Sequence, residues 1–220
     1  MNMHLPPSLT RLVLVSALLC APALRAGIFD FHIDFDTGAL TSAPNAPFYL
    51  DFQLNEGSGS LPNSVTLSHF VFDGGSPLGS PMPWSDGTGD LSSAVSLSDS
   101  PSSPFNEFSQ GFTPGTTGIH FDVAISQNSP GAIPDEFAAA ILDSEPGYPQ
   151  IATNAPDGVS LVTLDIAAAN ALADVQTYGS TSPAGVTATA IIPEPSDAVA
   201  LFGGAAALLA GFCRFRRRTA

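Results

Sequence analysis

The chain has 220 residues with a formal net charge of −14, carrying six arginines, no lysine and twenty Asp and Glu. All six arginines lie near the two ends, and two of the acids, Glu194 and Asp197, lie in the tail, so residues 27–192 hold eighteen carboxylates and no cationic side chain other than His32, His69 and His120. Such a domain repels nucleic acid and anionic membrane surfaces and has almost no means of forming salt bridges at neutral pH.

At the front, Arg11 precedes an apolar run at residues 12–19, followed by the small residues Ala21, Ala23 and Ala26. This order predicts a secretory signal peptide over residues 1–26, cleaved after Ala23 or Ala26. Leu19 stands where a lipidated cysteine needs a small neighbour, which argues against lipidation of Cys20. Cys20 leaves with the leader and Cys213 belongs to the tail, so the mature domain is expected to have no disulfide, thiolate metal site or cysteine nucleophile.

Residues 27–192 have the length of one domain, and their dominant signal is a period of two. Phe29, Phe31, Ile33 and Phe35 share one face of a predicted strand, with Asp30, His32, Asp34 and Asp36 on the other. The rhythm returns in Phe48, Leu50, Phe52 and Leu54, and again in Ile119, Phe121, Val123 and Ile125. Weaker strands are expected at residues 65–72, with a bulge near His69 where parity breaks, and at 91–98, 105–112, 137–142, 159–166 and 186–192. Pro134, Asp135 and Glu136 would alternatively open a short helix, and residues 167–173 would form another. Residues 74–90, with Pro77, Pro81, Pro83 and the single tryptophan Trp84, read as a surface loop, and residues 177–185 as a turn. About nine strands, each with one apolar face, predict an all-β domain: an antiparallel β-sandwich or jelly roll with a phenylalanine-rich core.

No Gly-x-Ser-x-Gly elbow, His-Glu-x-x-His pair or phosphate-binding glycine loop occurs, and no catalytic residue is nominated. Two carboxylates that meet in space would suit a glycan hydrolase, which sequence spacing does not reveal. The acidic face of Asp30, Asp34 and Asp36 is the best local candidate for a cation, calcium by ligand type, completed by Asp51 or Asp122 if their strands lie beside it. His32, His69 and His120 would suit a transition metal if the fold gathered them, although three scattered histidines rarely converge. Trp84, Tyr49 and Tyr148 are the aromatic candidates for stacking on a sugar ring, with Trp84 the foremost.

The tail has three parts in order: Pro193, Glu194 and Pro195; the uncharged apolar residues 198–213; and Arg214, Arg216, Arg217 and Arg218. As a helix the sixteen apolar residues rise about 24 Å, a short transmembrane span whose trailing arginines would stay cytoplasmic and leave the acidic domain outside. The combination resembles the PEP-CTERM sorting signal over residues 193–220. The resemblance implies a membrane-embedded, exosortase-type protease that recognises the Pro-Glu-Pro region and releases the ectodomain at the surface of an exopolysaccharide-producing bacterium. Phe48-Tyr49-Leu50-Asp51-Phe52-Gln53-Leu54 and Phe105-Asn106-Glu107-Phe108 resemble the ectodomain of a group of small PEP-CTERM proteins, implying a surface β domain with no catalytic residues to carry over. The expected function is a structural or adhesive matrix protein, the alternatives being a calcium-assisted carbohydrate-binding module or a secreted glycan hydrolase.

Overall fold

The computed structural model describes residues 28–44, 46–58, 62–99, 104–126, 132–144, 150–166 and 174–192. The expected leader at 1–26, the helix alternative at 167–173, Tyr148 and the whole tail at 193–220 lie outside them. Among the described residues no helix is long and apolar enough to cross a membrane.

The described elements are β1 (Ile28–Asp36), β2 (Phe48–Asn55), β3 (Ser64–Asp73), β4 (Pro77–Trp84), β5 (Thr88–Gly89), β6 (Ala94–Ser98), β7 (Phe105–Phe112), β8 (Gly118–Ser126), β9 (Asp135–Leu142), β10 (Ala152–Thr153), β11 (Val162–Ile166), β12 (Asp174–Thr177), β13 (Gly179–Ser182) and β14 (Ala184–Ile191), with a 3₁₀ turn at Gly38–Ser42. They form an eight-stranded sheet, β10-β13-β14-β1-β8-β3-β6-β5, and a six-stranded sheet, β12-β11-β9-β2-β7-β4. The two antiparallel sheets face one another as in a β-sandwich.

The alternation seen in the sequence is what pins this arrangement, because a strand presents every second residue to one face. Phe31, Ile33 and Phe35 of β1 and Ile119, Phe121 and Val123 of β8 share one core with Leu50, Phe52 and Leu54 of β2. Phe52 is the hinge of that core. Its ring centre lies 5.4 Å from that of Phe121, 6.1 Å from Phe70 and 6.4 Å from Phe137, so it touches both sheets.

Three expectations need correction. The supposed loop at 74–90 contains β4 and β5; β4 is an edge strand, where proline's missing N–H costs no second ladder bond. The strand expected at 137–142 is present as β9, held between β2 and β11, and the helix alternative after Pro134 is not taken because the sheet on both sides overrides the helical preference of Ala138, Ala139 and Ala140. The supposed turn at 177–185 contains β13. The described strands, short ones included, outnumber the nine expected. The expected bulge is present: register shifts between Ser68 and Val71, with His69 at φ 55°.

Replacing Phe52 by Ala is expected to cost about 3–5 kcal/mol in denaturant unfolding, since the void opens between both sheets. A loss under about 1 kcal/mol would mean that the sheets do not pack through this residue.

Candidate metal centre and buried carboxylates

Antiparallel register places His32 directly opposite Asp122 and Asp34 directly opposite His120 on the outer face of the eight-stranded sheet. The bulge in β3 turns His69 onto the same face, beside Asp122, and Asp73 arrives next to His120. The six side chains form one row. His69 Nδ1 lies 2.9 Å from Asp122 Oδ2, and Asp122 Oδ1 lies 2.6 Å from His32 Nδ1. His32 Nε2 is 3.0 Å from Asp34 Oδ1, which is 2.5 Å from His120 Nδ1, and His120 Nε2 is 3.0 Å from Asp73 Oδ2. The rings of His32 and His120 are nearly parallel, their centres 6.3 Å apart.

The row tunes its own charges. Hydrogen bonds accepted from His120 by Asp73 first, then by Asp34, raise the His120 pKa above 6.5, outweighing burial. The bond to His32 lowers Asp122 below 3.8 against the effect of burial, with His69 adding to it. Burial is the largest single influence on Asp34 and would raise it, but the bonds and attractions of His120 and His32 together lower its pKa. Imidazole hydrogen-bonded to carboxylate stands in this domain where lysine and arginine pairs are lacking.

His32, Asp34 and His120 each offer one ligand atom, and these atoms all lie within 4.8 Å of one another. Two imidazoles and a carboxylate are a donor set for zinc or a similar transition ion rather than for calcium. Of the three acids expected to converge, only Asp34 joins this group: Asp30 is exposed, and Asp36 Oδ1 accepts the Gly38 N–H at 3.0 Å. Asp122 lies beside the acidic face as anticipated, whereas Asp51 belongs to the other sheet. A shallow depression of about 410 Å³, lined in part by His32, His69, Asp122 and Ile191, adjoins the row.

On the outer face of the six-stranded sheet, Asp51 pairs across β7 with Ser109, and Gln53 with Glu107. Asp51 is fully buried; its Oδ2 accepts from Gln53 Nε2 at 2.8 Å and its Oδ1 has no partner. Burial, then the adjacent Glu107 carboxylate, pushes the Asp51 pKa up to about 8, so it holds a proton at neutral pH. Trp84 pairs with Glu107 from β4 and is 67 % exposed, so it does not plug the core. Leu78, Met82 and Phe105 are also exposed on these two strands.

A second buried carboxylate pair, Asp99 and Asp135, sits at one end of the sheets with Asn63. Nothing in the sequence singled it out, because its members are isolated acids and amides beside turns. No family model, curated protein or solved structure matches the chain.

The Asp51 proton makes a testable contribution. Its folded-state pKa is raised from 3.8 to about 8, so the stability it lends is complete below about pH 4 and is lost as pH rises through 8. Asp51→Asn should flatten the fall in denaturant midpoint between these limits. Parallel pH profiles for the two proteins would contradict the assignment.

Proposed function

We propose that the chain is the precursor of a surface-sorted, non-catalytic matrix protein. The order of the tail carries this reading: Pro193, Glu194 and Pro195, then an apolar span at 198–213, then Arg214, Arg216, Arg217 and Arg218. A leader at 1–26 exports the acidic domain, the span holds it at the inner membrane, and an exosortase-type protease cuts near Pro193 and frees it to the cell surface. There the domain acts as a structural or adhesive component within exopolysaccharide, where strong negative charge without lysine favours hydration over contact with anionic surfaces.

The geometry of Asp51 and Glu107 does not suit them as a glycosidase pair. Glycosidic cleavage uses carboxyl groups about 5 Å or more apart that both reach the sugar. Asp51 and Glu107 sit close enough to share a hydrogen bond, and Asp51 is sealed from solvent.

The exposure of Trp84 favours a second reading, a carbohydrate-binding module. Its ring stands on an edge strand beside Met82, Phe105 and the half-buried Glu107, an aromatic platform next to a polar group.

Intact mass and location of the protein in its producing cell test the first reading. A mature form starting at Leu24 or Gly27, ending close to Pro193 and found outside the membrane is expected; a full-length C-terminus retained in the inner membrane would overturn it. For the second reading, Trp84→Ala should weaken retention on the host's own polysaccharide several-fold without lowering the unfolding midpoint. Unchanged retention would remove it.

A further inference from the structure

At the end of the sandwich where β2 finishes and β9 begins, the two sheets are tied by a small polar cluster. Asn63 immediately precedes β3 and Asp99 immediately follows β6, both in the eight-stranded sheet. Asp135 opens β9 and Gly57 lies just beyond β2, both in the six-stranded sheet. The Asn63 N–H donates to Asp99 Oδ1 at 2.6 Å, and the Asp99 N–H donates to the Asn63 carbonyl at 3.2 Å. The Gly57 N–H donates to Asp135 Oδ1 at 2.6 Å, and Asn63 Nδ2 donates to Asp135 Oδ2. A Cβ on Gly57 would fall 2.2 Å from the Ile133 carbonyl oxygen and 2.4 Å from that of Pro134, so only glycine lets this segment close on the start of β9.

The result is an uncompensated charge. Asp99 is 2 % exposed and Asp135 4 % exposed, and the two carboxyl groups lie within hydrogen-bonding reach of each other. Asp99 Oδ2 is buried and accepts no hydrogen bond, while Glu56 adds a further negative charge nearby. A buried oxygen left bare beside a second carboxylate is costly unless a proton or a cation lies between them. Burial, followed by Asp135, pushes the Asp99 pKa up to about 7, so a proton alone would leave the pair half neutralised at neutral pH.

We propose that Asp99 and Asp135, with Glu56 nearby, bind a calcium ion that clamps the two sheets together at this end. The side chains on offer are carboxylates, oxygen donors of the kind a hard cation takes, and calcium tolerates irregular geometry. Magnesium demands a regular octahedron and keeps its waters, and a transition ion would prefer the imidazoles of His32 and His120. The Asp51 and Glu107 pair offers no equivalent site: it lies in mid-strand, where ladder bonds occupy the carbonyls and the Gln53 amide already donates to Asp51.

The full chain, purified in detergent, tests this by thermal unfolding at pH 8 in chelator and in about 10 mM calcium, well above the range expected of an extracellular site. The wild type should gain about 3–10 °C with calcium. Asp99→Asn, whose amide is able to donate to Asp135, should match or exceed the wild type in chelator and lose the calcium gain. Asp34→Asn, in the imidazole row, should keep it. A wild type indifferent to calcium would mean that the pair is held by a shared proton, and the proposal would fall. It would fall equally if magnesium gave as large a gain, or if the gain survived in Asp99→Asn and vanished in Asp34→Asn. Should Asp99→Asn not fold, calorimetric titration of the wild type with calcium decides: one ion per chain is expected, and no binding would overturn the site.

Discussion

The structure is governed by a missing partner. Between Gly27 and Cys213 no lysine or arginine exists, so every carboxylate must be compensated by something else. Exposed acids use the backbone and neighbouring hydroxyls. Asp90 is held low by its bonds with Ser92, whose N–H lies 2.7 Å from Asp90 Oδ1. Burial works against Asp157, but the Ser160 hydroxyl and the N–H groups of Val159 and Ser160 outweigh it. Half-buried acids use imidazole, as in the row from His69 to Asp73. Fully buried Asp51 uses a proton.

Strand register decides which device each acid receives. Because side chains alternate strictly, a slip of one residue between β1 and β8 would carry the core phenylalanines Phe31 and Phe35 outward and dismantle the imidazole row in the same step. The core and the charged face are therefore specified together. The β3 bulge is the exception that makes the row longer: it lets Val65 and Leu67 on one side and Phe70 and Phe72 on the other all point inward, and spends the extra residue, His69, on the outer face.

Much of this was legible in the sequence wherever one strand carried its own evidence. Alternation in β1, β2 and β8, and the parity break at His69, needed no knowledge of partners. What failed depended on neighbours. Residues 77–84 were hidden by three prolines that only an edge position tolerates, and the alanine run of β9 left a helix open as an alternative that β2 and β11, flanking it, rule out. The site was half visible for the same reason. Asp34 was a candidate, but while its neighbour His32 lies two residues away on the same strand, His120 reaches it only through cross-strand pairing, 86 residues away in sequence. Asp99 and Asp135 gave no signal at all, since each is a single acid beside a turn whose meaning comes only from the closing of the two sheets.

Proton exchange on unfolding examines the compensation scheme without reference to any ligand. A folded domain that keeps protons on a buried carboxylate and on raised histidine must give them up when it unfolds at a pH above the ordinary carboxylate range. Potentiometric measurement of denaturant unfolding at pH 6, in chelator, should therefore register release of at least about one proton per chain, with Asp51 the principal source. No release, or uptake of protons, would show that the buried acids are ionised in the native state and that this domain compensates its charge in some other way.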